Sequence, residues 1–305
     1  MDESAPRQTL SYVKALLTSR GLRPKEKLGQ NFLIDLNLLD LIVRTAEPNR
    51  RDLVLEIGTG TGSLTTRLAE HAGAVLSVEL DTAIHELARE LVGPLPNVRL
   101  MRADALRTKN ELNPDVLVAL AEMRQAFHCE QVKLVANLPY AVATPVISNL
   151  LLSDFPISQM VVTVQWEIAE RLMAQPGTAD FGALAVLVQS LADVAMVRKL
   201  APAVFWPRPQ VESAIVQITP NAAKHAHVAD MVASATAFRV FLRDLYTHRR
   251  KNLRGALAGW PSGRREKSDV DRILTELELP GTTRAEDLDV ETHLRLCRAF
   301  AAFTD

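Results

Sequence analysis

The sequence predicts an α/β fold: a parallel sheet with helices on both faces, followed by a small all-helical C-terminal domain. Three observations carry this expectation. Between residues 52 and 164, short apolar runs alternate with helix-period segments, the pattern of strand–helix–strand units whose strands lie parallel. Gly58, Glu79, Asp104 and Asn137 stand at the ends of four of those runs, and in such sheets ligands bind beyond the carboxyl ends of the strands. Past residue 220, strand-like runs give way to apolar residues at helical spacing. The expected domains are 1–220, carrying the site, and 221–305.

The elements follow in order. Residues 9–20 read as a helix with Leu10, Val13, Leu16 and Leu17 on one face, ended by Gly21 and Pro24. A basic, glycine-containing loop follows, and Asp35 then caps a helix through Leu38, Leu39, Ile42 and Val43. Strands are expected at 53–57, 74–78, 98–101, 132–136 and 160–164, with helices at 64–71, 81–92, 114–127 and 142–152. Residues 181–191 read as a helix and 211–218 as a strand. In the tail, Val228, Met231, Val232, Ala235, Phe238, Leu242 and Leu245 keep a helical period.

Composition narrows the class. The 305 residues are 48% hydrophobic and 23% charged, ordinary for a globular protein and unlike a disordered, collagenous or coiled-coil chain. Lys and Arg number 35 against 36 Asp and Glu, a formal net charge of −1, which taken as a total speaks against an indiscriminate nucleic-acid binder. Cys129 and Cys297 are far apart and match no zinc spacing. His225 and His227 form an H-x-H without a third ligand nearby in sequence, so no metal is expected. No run approaches the length of a membrane span, and the acidic N-terminus leads into no apolar segment of a signal peptide. The expected location is the cytoplasm.

Glu56-Ile57-Gly58-Thr59-Gly60-Thr61-Gly62 follows a strand and precedes a helix. Glycines there let the backbone approach a ligand closely. The dinucleotide fingerprint G-x-G-x-x-G would need a glycine at position 63, which is Ser63. The spacing G-x-G-x-G, with an acid two residues before it, resembles instead the first motif of S-adenosylmethionine methyltransferases. Glu79, at the next strand end, suits the two ribose hydroxyls of a nucleoside, and Asp104 suits an adenine amino group. A plain turn and two solvated carboxylates are the alternative.

Asn137-Leu138-Pro139-Tyr140 follows the fourth strand directly. The exocyclic amine of adenine is a poor nucleophile because its lone pair is delocalised into the ring. The side-chain oxygen of Asn137 and the backbone carbonyl of Leu138 are suited to accept that amine's two hydrogens and free the lone pair. Pro139 fixes the backbone, and Tyr140 offers a ring for a base to stack on. A methyl donor that is already activated needs positioning and electrostatics rather than a strong general base.

With these residues in view, the chain resembles the ribosomal RNA adenine dimethyltransferases of the KsgA type. The resemblance rests on Lys27-Leu28-Gly29-Gln30-Asn31-Phe32-Leu33, the loop at 56–62, Val78-Glu79-Leu80-Asp81, Asp104-Ala105-Leu106 and Asn137 to Tyr140. It continues through Gln165 to Arg171, Phe181-Gly182, Phe205-Trp206-Pro207-Arg208-Pro209-Gln210-Val211-Glu212-Ser213-Ala214 and Arg249 to Leu253. It implies a Rossmann-like, S-adenosylmethionine-dependent methyltransferase sheet and an enzyme that dimethylates N6 of two adjacent adenosines. These would lie in a hairpin near the 3′ end of small-subunit (16S) rRNA, modified during ribosome biogenesis. By the same resemblance Asn31, Leu33, Gly58, Gly60, Glu79, Asp104 and Asn137 should contact S-adenosylmethionine, and Tyr140 and Phe205 should sandwich the flipped base. Thr59 stands where the family often has proline, Ala141 where it often has asparagine, and Trp206 is bulkier than usual. The stretch from 105 to 131 is longer than usual, with its helix expected on the surface.

The partner expected is small-subunit rRNA or the immature small subunit, met by a monomer. Between residues 238 and 254 stand Arg239, Arg243, Arg249, Arg250, Lys251 and Arg254 against one acid, Asp244. Arg249, Arg250, Lys251 and Arg254 are the candidate phosphate contacts, which give affinity without sequence specificity. Arg20, Arg23, Lys25 and Lys27 in the N-terminal loop are a second basic group, equally compatible with a solvated face. Two further readings stay open: a large-subunit rRNA adenine N6-methyltransferase, and a pre-ribosomal RNA-binding assembly factor whose methyl transfer is secondary.

Overall fold

The computed structural model describes residues 10–258 and 266–301. The chain begins with α1 (Leu10–Ser19), a short turn, and β1 (Phe32–Leu33). Then come α2 (Leu36–Ala46), β2 (Asp52–Ile57), α3 (Ser63–His71), β3 (Ala74–Glu79), α4 (Thr82–Val92) and β4 (Val98–Arg102). A hairpin of β5 (Leu106–Thr108) and β6 (Glu111–Leu112) precedes α5 (Pro114–Ala126), β7 (Gln131–Asn137), α6 (Ala143–Leu151) and β8 (Ile157–Gln165). After α7 (Trp166–Met173) and α8 (Ala183–Leu191) come β9 (Ala192–Leu200), β10 (Phe205–Trp206) and β11 (Ser213–Pro220). The remainder is helical: α9 (Ala222–Met231), α10 (Ala235–Thr247), α11 (Leu253–Leu257), α12 (Lys267–Glu276) and α13 (Val290–Ala301).

Seven strands form one sheet in the order β4-β3-β2-β7-β8-β11-β9. The first five pair in parallel and β11 runs antiparallel to β8, so the strand order reverses between β2 and β7, where α/β sheets open a crevice. The α/β fold with helices on both faces is as expected. Local chemistry starts the helices where they start: the Asp35 carboxylate accepts from the N–H groups of Asn37 and Leu38, and Asp81 from those of Ala83 and Ile84.

On one face of the sheet, side chains change character within a single step along the strands. Val54, Val75, Val135, Val161 and Ile215 belong to one buried apolar cluster with Leu39, Ile42 and Val43 of α2 and Leu64 and Leu68 of α3. Side chains two apart on a strand share a face. Two residues further along each parallel strand stand Glu56, Ser77, Asn137 and Thr163, and Ser213 precedes Ile215 by two on the antiparallel strand. The register sets Glu56 beside Ser77 and Asn137 beside Thr163, while Ile215 faces Thr163 and Ser213 faces Gln165, so these polar residues share one face at successive levels rather than a single row. On each strand the apolar position packs under α2 and α3, and the polar one lies about 7 Å further along, on the parallel strands toward their carboxyl ends.

The helix at 114–126 is not the surface addition expected. α5 packs on β2 and β3 and buries Val116, Ala119, Leu120 and Met123, making it the crossover into β7. Strand β9 has no counterpart in the sequence reading.

Two compact units emerge: residues up to 169 with 195–219, and 170–194 with those described from 220 on. The second differs from the expected 221–305 division by including α8, which packs on α9, α10 and α13. Its interior holds Phe181, Phe238, Phe241 and Phe300. His293 donates from Nδ1 to the Asp289 carbonyl (2.7 Å) and faces the Tyr246 hydroxyl with Nε2 (3.1 Å). Burial pushes its pKa down to about 4, which keeps the ring neutral.

Candidate active site

Asn31, Leu33, Gly58, Gly60, Glu79, Asp104, Asn137, Leu138, Pro139 and Tyr140, expected from separate stretches of sequence, line one cavity at the carboxyl ends of the strands. Glycine is required where the loop meets the Asn-Leu-Pro-Tyr segment. Gly58 has φ +87°, and a Cβ there would lie 3.1 Å from Pro139 Cδ.

The segment at 29–33 closes over this loop, and its residues have separable tasks. Gln30 donates to Asp81 Oδ2 (3.0 Å) and accepts from the Lys25 backbone N–H (2.7 Å). Lys25 Nζ reaches the same Asp81 oxygen at 2.8 Å. Asp81 thus caps α4 with one oxygen and ties down the loop with the other. Partial desolvation opposes ionisation, but Lys25, Gln30 and two backbone amides hold the carboxyl below its usual value. Phe32 lies over Gly60, where a Cβ would come within 3.2 Å of its ring. Leu33 pairs with Phe205 and Phe32 with Trp206.

Asn137 is oriented by this segment. Its Nδ2 donates to the Asn31 carbonyl (2.8 Å), which leaves Oδ1 as the amide's acceptor toward the cavity. Leu138 is buried, 1% exposed, in the cavity wall between Asn137 and Pro139. Tyr140 is half-buried, and its hydroxyl pairs with Ser213 Oγ at 2.8 Å. Burial raises its pKa, with the Ser213 bond opposing.

Two acids are buried in the cavity wall. Glu79 accepts from the N–H groups of Gly60 (3.1 Å) and Asp81 (2.9 Å). Burial raises its pKa despite those bonds. Glu56 is 1% exposed, and its Oε2 accepts from Thr65 Oγ1 (2.5 Å) and Ser77 Oγ (2.6 Å). Since Ser77 spends its proton on Glu56, Thr59 donates to Ser77 at 2.6 Å. Thr59 therefore anchors the loop through a hydrogen bond at the position where proline is usual. Thr65, Ser77 and Ser213 were missed in the sequence reading. For the two serines the signal is a hydroxyl two residues from an apolar strand position, as in Val75-Leu76-Ser77 and Ser213-Ala214-Ile215. Asp104 is exposed and accepts the Leu106 N–H at 2.9 Å.

Phe205 is not part of the cavity wall. It is 2% exposed and packs in the apolar cluster with Leu33, Leu200, Val204 and Ile215. Strand β10 pairs it with Leu33 and turns the ring into the core. Beside it Trp206 stacks on Phe32, with centroids 6.3 Å apart, under Lys14 Nζ.

In the second unit the four candidate phosphate contacts divide. Arg249 pairs with Glu286 (2.8 Å) and also reaches the Ala179 carbonyl, and Arg254 forks onto Asp271 (2.6 and 2.7 Å). Arg250 and Lys251 are exposed and have no acidic partner among the described residues. His227 pairs with Glu291 at 2.6 Å. Among the described residues there is no cluster of three metal-ligating side chains, and no helix is long and apolar enough to cross a membrane.

Comparison with known proteins agrees with this geometry. The sequence model of the family described as ribosomal RNA adenine dimethylase matches residues 21–295. Ribosomal RNA small subunit methyltransferase A of Bacillus licheniformis is 36% identical over 279 residues, covering 91% of each chain. The protein of that name from Pediococcus pentosaceus is 36% identical over 297 residues, 97% of this chain and 95% of its own. Among solved structures, a dimethyladenosine transferase from Plasmodium falciparum superposes with a TM-score of 0.67 at 24% identity, over 86% of this chain and 94% of that one. The 23S rRNA methyltransferase ErmE does so with 0.58 at 24%, over 89% and 100%. At these identities the two superpositions speak to the fold. The class is therefore an S-adenosylmethionine-dependent methyltransferase on a Rossmann-like sheet. Within it, the chain belongs to the ribosomal RNA adenine dimethylase family.

Proposed function

We propose that the protein dimethylates N6 of two adjacent adenosines in a hairpin near the 3′ end of small-subunit (16S) rRNA. It would act as a monomer on the immature subunit in the cytoplasm. The observation that carries this reading is the orientation of Asn137, whose Nδ2 is committed to the Asn31 carbonyl so that Oδ1 accepts.

The cavity suits the cofactor chemically. Glu79 and Asp104 line it with acceptors for a nucleoside, and the Gly58–Gly60 turn presents backbone where side chains would obstruct. When bound, S-adenosylmethionine supplies an activated methyl group. Glu79 would hold the ribose hydroxyls and Asp104 the adenine amine, while Asn31, Leu33 and the glycine loop line its seat. Asn137 Oδ1 and the Leu138 carbonyl would accept the two hydrogens of the target amine, aiming its lone pair at the methyl carbon. Tyr140 would support the flipped base on one face. With no strong base required, the residues contribute alignment and a pre-set electrostatic environment.

Transfer of labelled methyl groups to immature small subunits, followed by mapping of the modified nucleotides, tests this. Methylation confined to large-subunit rRNA would favour the large-subunit reading. Full support of subunit assembly in cells by a methylation-dead protein would make RNA binding the primary role.

A further inference from the structure

We propose that Ser213 is a positioning residue for the methyl transfer: it pins the hydroxyl end of Tyr140 and so sets the plane on which the target base rests. This builds on the proposed role of Tyr140.

Ser213 is 0% exposed and is the first residue of β11, in register with Gln165 of β8. Its place is thus fixed by the sheet, independently of Tyr140. The near end of Tyr140 is held just as firmly. Its N follows Pro139, whose φ of −58° is set by its ring, and the Gly29 backbone lies close, since a Cβ on Gly29 would come 3.5 Å from that N. What remains is rotation of the side chain, and the 2.8 Å bond between the Tyr140 hydroxyl and Ser213 Oγ removes it. A buried phenol needs a partner, and the strand supplies one that cannot follow the ring if it swings.

The position of Ser213 also explains why this partner bears on chemistry. It lies on the same face of the sheet as Asn137: Asn137 is in register with Thr163 of β8, and Ser213 with Gln165, two residues further along that strand. The acceptor for the amine and the post for the ring are therefore carried by one rigid sheet, and their relative placement is preset. Misplacing a reacting group by about 1 Å can cost a hundredfold in rate.

Two single variants remove the same bond from opposite sides. Ser213→Ala alters the strand, and Tyr140→Phe keeps the ring while leaving β11 untouched. Each is expected to lower kcat for transfer to immature small subunits about tenfold, with the Kd for S-adenosylmethionine measured by calorimetry unchanged. The double variant should be no slower than either single one. A purely structural hydroxyl pair would lower the melting temperature and leave kcat intact, which would overturn the proposal. So would a double variant slowed by the product of the two single effects. Tyr140→Ala separates the underlying reading: if it transfers methyl groups at the wild-type rate, the role of the ring itself is wrong.

Discussion

Burial pushes the Glu56 carboxyl up to about 8, partly offset by hydrogen bonds from Ser77 and Thr65, with Glu79 nearby adding to the rise. In the unfolded chain the same group ionises near 4.5. Between those values the unfolded chain releases a proton that the folded protein keeps. The contribution of Glu56 to stability is therefore complete below about 4.5 and is lost as the pH rises through about 8. Glu56→Gln retains an acceptor oxygen for Thr65 and Ser77 and cannot ionise. Its melting temperature should gain on the wild type by about 2 °C or more between about pH 5 and about pH 8. A constant gap across that range would show that Glu56 does not stay protonated. Residues of this kind are partly legible in sequence. An acid before a glycine turn announces a site, but its protonation follows from burial, opposed by hydroxyls from α3 and β3, and only folding brings either about. Phe205 marks the opposite limit: its Pro-rich neighbourhood suggests an exposed ring, and pairing with Leu33 turns it inward.

At the level of elements, β2, β3, β7 and β8 were legible as apolar runs, β2 leading into Gly58 and the other three ending in a polar residue. The same alternation puts Glu56, Ser77, Asn137 and Thr163 on one face of the sheet. β1 and β10 were not legible, since two-residue strands exist only through pairing with each other across the chain. β9 escaped because its exposed positions, including Met196, blur the alternation of an edge strand. The opposite end of the sheet has its own device. Lys133 on β7 is 8% exposed and donates to the terminal carbonyls Ala46 O (2.9 Å) and Glu47 O (3.0 Å) of α2, while pairing with Asp52 (2.9 Å). A cation there satisfies carbonyls that have no helical partner. Lys133→Met should destabilise the protein by about 3 kcal/mol in denaturant titrations, because it leaves Asp52 buried without its cation. The Kd for S-adenosylmethionine should hold. A loss below about 1 kcal/mol would mean that the asparagine at 49, which also donates to Asp52, suffices.

For the whole molecule, a net charge of −1 conceals an uneven distribution. The basic run at 239–254 looked uniform in sequence, but folding spends Arg249 and Arg254 largely on Glu286 and Asp271. That leaves Arg250 and Lys251 as the cations most available to phosphate. Replacing both with alanine should weaken rRNA binding and flatten its dependence on salt, reducing the log–log slope by about 1.5. Arg254→Ala should leave the slope nearly unchanged and lower the melting temperature. Equal changes in slope for the two variants would contradict this division of labour.

In the proposed reaction Asn137, oriented by the Asn31 carbonyl, holds the target amine for transfer. Single-turnover methyl transfer to immature small subunits by Asn137→Ala, with S-adenosylmethionine binding confirmed by calorimetry, tests it most directly. A cofactor-bound protein slowed by about a thousandfold or more is expected; a rate within about tenfold of the wild type would mean that Asn137 does not hold the amine.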